Sequence, residues 1–327
     1  MKDTVRWGIL GGGSYVANAA VIPAIQREQS STLAAFSSLS HPEPLPLERL
    51  GAQRMPSYQD LIDPSLIDAL YIATPNSLHA KWIVAALQRG ISVLCEKPIV
   101  VSPTDLDEIE LIASQTSGLV MEAYMTQFSY RDQVVRALAT DGEIGEILKF
   151  ETNFSFTNSD STNYRWDKAL GGGALLDVGI YILDPIIAIL GWPKKISVLD
   201  KSVRSGVDVS LTILLGFAGG QEATCTCSFS APEIQFLRIS GTHSTITLEN
   251  PFTPSLADDT LVITSNEGTS RSVKVAGDDP YYEMVHSFVE CHRNKIPAPR
   301  SLEKSRIVLR LIDEILIVAG LRQPHSQ

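Results

Sequence analysis

Between residues 4 and 124 the chain repeats one rhythm: a short, continuous apolar run, then a segment of helical periodicity. "TVRWGIL" (4–10), "TLAAFSS" (32–38), "IDALYIAT" (67–74), "ISVLCE" (91–96) and "LVMEAY" (119–124) read as strands. "YVANAAVIPAIQRE", "SLHAKWIVAALQRG" and "SPTDLDEIELIASQTSG" read as helices. Gly90 suits the C′ position of the second helix, and Ser102, Pro103 and Asp105 suit the N-cap, N1 and N3 of the third. Strands without a polar face need cover on both sides, and helical crossovers supply it. The rhythm therefore predicts a parallel, doubly wound α/β sheet of the Rossmann type as an N-terminal domain over residues 1–121. The Pro-rich "HPEPLPLERLG" replaces a regular connection.

After Tyr124 the rhythm changes. "YRDQVVRALATDG" reads as a helix, and "ILKFETNFSFTN" alternates as a one-faced strand does. "KISVLDKSV", "DVSLTILLGF", "EATCTCSFS", "QFLRISGTHSTITLEN" and "TLVITSNEGTSRSVKV" follow without helices between them, and two helices close the chain. This predicts an α+β C-terminal domain, residues 122–327, with a large, mostly antiparallel open sheet. The formal net charge of −10 argues against a nucleic-acid or anionic-membrane partner, since both require basic patches. No uninterrupted apolar run is long enough for a membrane span, and the N-terminus lacks the apolar core of a signal peptide. Cys95, Cys225, Cys227 and Cys291 lie in core-like segments without CxxC pairing. Reduced thiols, no metal site and a cytoplasmic location are expected.

Three motifs carry chemistry. The first, "GILGGGSYVANAAVIPAI", follows the first strand and opens the first helix. A glycine turn there lets a pyrophosphate approach the backbone and the helix N-terminus. Gly11 and Gly13 fit the first two glycines of a dinucleotide fingerprint with Val16 at the third site; Ala17 takes that site if Ser14 stands for the second glycine. Gly11, Gly13, Ser14, Tyr15 and Val16 are therefore expected at the cofactor. The second strand ends in Ser37-Ser38-Leu39-Ser40 where an NAD enzyme carries an acid. No carboxylate repels a 2′-phosphate, so NADP is favoured over NAD, with Ser38 in contact.

The second motif is "CEKPI" (95–99), at a strand end of the kind where ligands bind in such sheets. Glu96 and Lys97 need partners there and are expected at the cofactor, and Pro98 fixes the direction of Lys97. Upstream, "ATPNSLHAKW" brings Ala73, Thr74, Asn76 and His79 to the same crevice. The third motif is "GGGALLDVGIYILD" (171–184), an apolar helix in which Asp177 and Tyr181 stand four apart on one face. Arg165, on the loop before the glycines, could reach the nicotinamide or the substrate, or serve only that loop.

In this order the segments resemble the glucose–fructose oxidoreductase/inositol dehydrogenase/MocA family over most of the chain. The resemblance implies a nicotinamide-dependent oxidoreductase acting on a sugar, cyclic polyol or ketosugar, with oligomer contacts through the C-terminal sheet. Many members carry Asp-x-x-x-His in the third motif; Tyr181 here is similar to the tyrosine branch of NADP-linked sugar and dihydrodiol dehydrogenases. In that branch the tyrosine is the acid/base and the lysine of EKP assists. The resemblance thus implies Tyr181 and Lys97 as catalytic, with Asp177 binding substrate hydroxyls or orienting the pair. A dinucleotide-sensing regulator of the same fold and a nucleotide-ketosugar reductase are the alternatives, and retention of both Lys97 and Tyr181 argues against the regulator.

Overall fold

Six strands build the first sheet: β1 (Val5–Leu10), β2 (Ser31–Ser37), β3 (Gln53–Arg54), β4 (Ala69–Ile72), β5 (Ser92–Glu96) and β6 (Val120–Ala123). Their order is β3-β2-β1-β4-β5-β6, and every pair is parallel. The computed structural model describes residues 4–39, 45–253 and 256–324; Ser40 and much of the Pro-rich connection lie outside them. The helices of this part are α1 (Ile22–Arg27), α2 (Pro46–Arg49), α3 (Tyr58–Leu61), α4 (His79–Leu87) and α5 (Pro103–Gln115). Chain direction across the sheet reverses between β1 and β4, which makes their C-terminal ends the switch point of a doubly wound fold. A π-turn, Ala17–Val21, precedes α1, with Ile22 N–H reaching back five residues to Ala17 O. Pro23 explains it: its ring would strike the Ala19 carbonyl in a regular α-turn, and the wider turn removes the collision.

The second sheet has eight strands: β7 (Ile147–Thr157), β8 (Lys195–Arg204), β9 (Val207–Gly216), β10 (Glu222–Ser228), β11 (Ser230–Gly241), β12 (Ser244–Glu249), β13 (Asp259–Ser265) and β14 (Ser270–Val275). The order is β14-β13-β12-β11-β7-β10-β9-β8, antiparallel except for β7 beside β10. Two of the long alternating runs fold as hairpins, β11–β12 and β13–β14, rather than as single strands. With α6 (Tyr130–Thr140), α7 (Ala174–Leu190), α8 (Pro280–Asn294) and α9 (Leu302–Val318) the expected fold class is complete.

Residues up to Met125 together with Tyr281–Ile307 form one compact unit; Thr126–Pro280 with residues from Val308 onward form another. This differs from a division at 121/122 in two segments, residues 122–125 and 281–307. The α8 segment joins the first unit through Phe288, whose ring lies 5.1 Å from that of Trp7, His292, 2.8 Å from Ser92 Oγ, and Arg293, which donates to Ser30 Oγ at 2.6 Å. Among the described residues no helix is long and apolar enough to cross a membrane.

Candidate active site

At the switch point, the glycine turn is fastened to the end of β2: Gly11 and Gly12 N–H both donate to Ser37 O, at 3.0 and 3.1 Å. Gly11 has φ +90°, and a Cβ on it would stand 2.5 Å from Ala73 O, so no other residue fits. Asn18 closes the turn by donating to Gly12 O and Ser14 O, both at 2.8 Å. Gly13, Ser14 and Val16 are half-buried, and Tyr15 projects into solvent. Ala17 is fully buried, whereas Val16 is half-buried. Ala73, Thr74 and Asn76 follow β4 on the other side of the switch point, and Ser38 follows β2. The hydroxyl oxygens of Ser37, Ser38 and Thr74 are buried and have no hydrogen-bond partner among the described residues. Unsatisfied buried hydroxyls at these strand ends fit a ligand rich in ribose and phosphate oxygens, as a dinucleotide is.

Lys97 follows β5 and is half-buried. Its neighbours are held on three sides. Tyr71 Oη donates to Glu96 Oε1 at 2.6 Å, and burial pushes the Glu96 carboxyl up despite Lys97 beside it. His79 places Nδ1 2.9 Å from Pro98 O and Nε2 2.9 Å from Thr74 O. Burial lowers its pKa. Ile99 N–H donates to Glu122 Oε1 at 3.0 Å, while Arg300 Nε and Ser305 Oγ donate to Glu122 Oε2 at 3.1 and 2.7 Å. Glu122 and Arg300 are both buried, and the guanidinium lies 4.9 Å over the Tyr124 ring. Glu96 and His79, expected at the cofactor, thus have side chains engaged in positioning the strand ends. Sequence reasoning reads Glu122, at the end of the last Rossmann strand, as a candidate for the substrate side, and misses Arg300 and Ser305 as parts of this loop's support. A lone carboxylate in the apolar run "LVMEAY" is the signal that points to it.

In the second unit, α7 is buried along nearly its whole length. The three preceding glycines are required by close approach. Gly171 has φ +76°, a Cβ on Gly172 would lie 2.4 Å from Arg165 O, and one on Gly173 would lie 2.4 Å from Asp208 Oδ1. They bring two groups onto the helix start. One is Asp208 of β9, which accepts from Leu175 N–H at 2.7 Å and so serves as an N-cap supplied from another strand. Burial raises its carboxyl to about 7. The other is Arg165, whose Nε and Nη2 donate to Asp177 Oδ2 and Oδ1 at 2.6 and 3.1 Å. Burial works against the Arg165 charge, and Asp177 more than restores it, raising the pKa of the guanidinium. Both oxygens of Asp177 accept from Arg165, a partner that the Asp177–Tyr181 spacing does not reveal.

Tyr181, one turn beyond Asp177, is buried among aromatic rings: Phe154 at 5.3 Å edge-on and Phe252 at 5.8 Å, with those two stacked at 5.5 Å. The Arg165 guanidinium lies 5.1 Å over Tyr164 and 6.0 Å over Phe156. Pro185 has no N–H to return to the Tyr181 carbonyl, and Thr152 Oγ1 donates to the next one, Ile182 O, at 3.2 Å. The aromatic surround is not readable in the sequence because Phe154, Phe156 and Phe252 come from a strand and a loop distant from α7.

Residues 5–124 match the oxidoreductase family with an NAD-binding Rossmann fold, and residues 133–247 match the GFO/IDH/MocA C-terminal domain. The chain is 30% identical over 317 residues to D-xylose 1-dehydrogenase (NADP(+)) 2 of Haloferax volcanii, covering 95% of this chain and 96% of that one. It is 30% identical over 251 residues to trans-1,2-dihydrobenzene-1,2-diol dehydrogenase of Macaca fuscata fuscata, covering 76% and 75%. The crystal structure of a 3-ketoreductase from Actinomadura kijaniata, in complex with NADP and TDP-benzene, superposes with a TM-score of 0.87 at 23% identity, over 95% and 97% of the two chains. The family match covers the first sheet, strands β7 to β11 of the second, the glycine turn, the EKP loop and α7: the chain belongs to the GFO/IDH/MocA oxidoreductase family.

Proposed function

We propose that this oxidoreductase transfers a hydride between NADP, in preference to NAD, and a carbinol or carbonyl carbon of a sugar, cyclic polyol or ketosugar. Cofactor binding is assigned to the first unit, through Gly11, Gly13, Ser14, Tyr15, Val16, Ser38, Ala73, Thr74 and Asn76. Acid–base chemistry is assigned to Tyr181 of the second, with Lys97 assisting. The bound nicotinamide supplies the hydride acceptor or donor. In oxidation Tyr181 Oη takes the hydroxyl proton; in reduction it returns a proton to the carbonyl oxygen. Lys97 supplies positive charge to that oxygen and favours the phenolate. Arg165 and Asp177 hold the first turn of α7 in place. The observation that carries the reading is the buried phenol of Tyr181, one helical turn from a fixed ion pair and walled by aromatic rings. Those rings suit the apolar C–H face of a cyclic substrate. The NADP(+) specificity named for the Haloferax volcanii relative, and the absence of an acid at Ser38, support the cofactor choice. Four buried free thiols fit a reducing compartment.

The test is titration of protein fluorescence with NADPH and NADH, then an absorbance screen of sugars, inositols and ketosugars for turnover. Tyr181→Phe and Lys97→Met are each expected to lower kcat by about 10²–10⁴-fold while NADPH affinity stays within a few-fold. Turnover at the wild-type rate in either variant refutes its assigned role.

A further inference from the structure

β12 runs into "NPFT" (250–253), a β-turn in which Asn250 takes φ +50° and Thr253 N–H returns to Asn250 O at 3.4 Å. Pro251 stands at the second position, where its fixed φ suits such a turn. Connections of this kind run over the surface, yet this one buries its phenylalanine, Phe252, to 4% exposure. Two buried side chains hold it there. Arg131 of α6, 6% exposed, donates through Nη2 to Pro251 O at 2.9 Å and Thr253 O at 3.0 Å, the carbonyls on either side of Phe252, and through Nη1 to Asp259 of β13. Gln235 of β11 exchanges hydrogen bonds with Thr253 Oγ1 at 2.8 and 3.1 Å. The clamped Phe252 ring stacks on Phe154 at 5.5 Å and 14°, and lies 5.8 Å from the Tyr181 ring. Phe154 stands opposite Gln235 in the sheet and on the same side of β7 as Thr152, which donates to α7. Unlike Phe252 it is half-buried, so part of its ring stays accessible beside Tyr181.

We infer that this turn is a specificity element of the proposed substrate site: the accessible part of Phe154 is the surface on which a cyclic substrate lays its C–H face, Phe252 backs that ring, and Arg131 is the positioning residue that holds Phe252. The inference rests on the proposed oxidoreductase function and adds to it the residues that select a ring. C–H bonds on one face of a saturated ring meet an aromatic surface favourably. A hydroxyl on that face would lose its water and find no partner on a phenylalanine. The substrate class is therefore a ring whose hydroxyls lie around its rim and leave one face to C–H bonds. A wall already fixed by charge-assisted hydrogen bonds from Arg131 has little ordering left to lose when substrate binds.

The probe is the ring substrate of highest kcat/KM in the sugar, inositol and ketosugar screen. Phe252→Leu, Arg131→Lys and their combination are compared with wild type at a temperature where near-ultraviolet circular dichroism shows each to be folded. Phe252→Leu is expected to raise KM for the probe about 5- to 10-fold with kcat and NADPH affinity within about twofold, because the wall holds ground and transition states alike. Arg131→Lys keeps the charge without the fork and should give the same split. The double variant should be no worse than Phe252→Leu alone, because Arg131 acts through that ring. If Arg131→Lys does not fold, Thr253→Val, which frees the turn from Gln235, takes its place with the same expected split. A wild-type KM in folded Phe252→Leu, KM and NADPH affinity weakened together, or a wild type that turns over only open-chain compounds overturns the assignment. Additive effects in the double variant overturn the positioning role of Arg131. A wild type inactive across the whole screen overturns instead the function on which the inference rests.

Discussion

The carboxylate of Asp177 shows how far a spacing rule reaches. Four residues on one helix put Asp177 and Tyr181 on a common face, and the structure keeps them there. Their spacing says nothing of a guanidinium arriving from twelve residues upstream, over a turn that only glycines can make. Asp177 is 3% exposed at its side chain, and Arg165 holds both oxygens. Removing the cation leaves a buried charge uncompensated. Arg165→Met is therefore expected to lower unfolding stability by about 3–5 kcal/mol, read as a shift in urea midpoint at constant slope. Asp177→Asn in the same background should recover part of that stability, because the amide needs no counter-charge. Positions were legible from sequence where the backbone dictates the residue, as at Gly11. They were not legible where a partner came from elsewhere in the chain, as Tyr71 does for Glu96 and His79 does for Pro98.

Elements were legible to the extent that they carry a period. Buried strands and amphipathic helices do; β3, of two residues, does not, and so the register that brings Arg54 to Phe36 was invisible. The start of α7 depends on Asp208, a single acid in the apolar strand β9, and this dependence has a pH signature. Its folded pKa, near 7, stands above the ordinary carboxyl value of 3.8. Between these limits the folded protein holds a proton that the unfolded chain has released, so Asp208's contribution is full below about 4 and is lost as pH rises through about 7. Wild type minus Asp208→Asn should therefore show stability falling across that window by up to ~1.4 kcal/mol per pH unit. Chemical denaturation at several pH values measures it, and parallel curves would remove Asp208 from the account.

The EKP loop offers a second test at this scale. Glu122 joins β6, the loop at Ile99 and the segment that opens α9 through Arg300 and Ser305. Glu122→Leu or Arg300→Met alone should cost about 3–5 kcal/mol, each leaving a buried partner charge, while the two changes together should cost less than the sum. If Lys97 is held in place by this support, Ser305→Ala, a milder change, should lower kcat with little effect on NADPH affinity. A strictly additive double mutant would show that the pair is not coupled.

At the scale of the molecule, helix-separated apolar strands followed by alternating ones were enough to read two sheets of opposite character. The unit that α8 joins was not readable, because an amphipathic pattern identifies a face but not what covers it; here Phe288 meets Trp7 of the first sheet. The same reasoning bears on the second sheet. α7 packs on one side of it, against the side that carries Leu211, Ile213, Leu215, Ala223 and Cys225, all buried. The alternate residues, Thr212, Leu214, Thr224, Thr226 and Phe236, face the other way and are half-buried, a surface of hydroxyls and apolar groups that also carries Glu151 paired with Lys149 and Arg238. Such a face, broad and open, suits a second copy of the chain better than water does. Sedimentation equilibrium should give a mass that is a multiple of 35.6 kDa. Leu214→Glu sets a charge in the middle of that face and leaves the first unit's dinucleotide site untouched. It is expected to yield the single-chain mass with NADPH affinity unchanged. A wild-type monomer, or an oligomer indifferent to Leu214→Glu, would move the contact away from the open sheet.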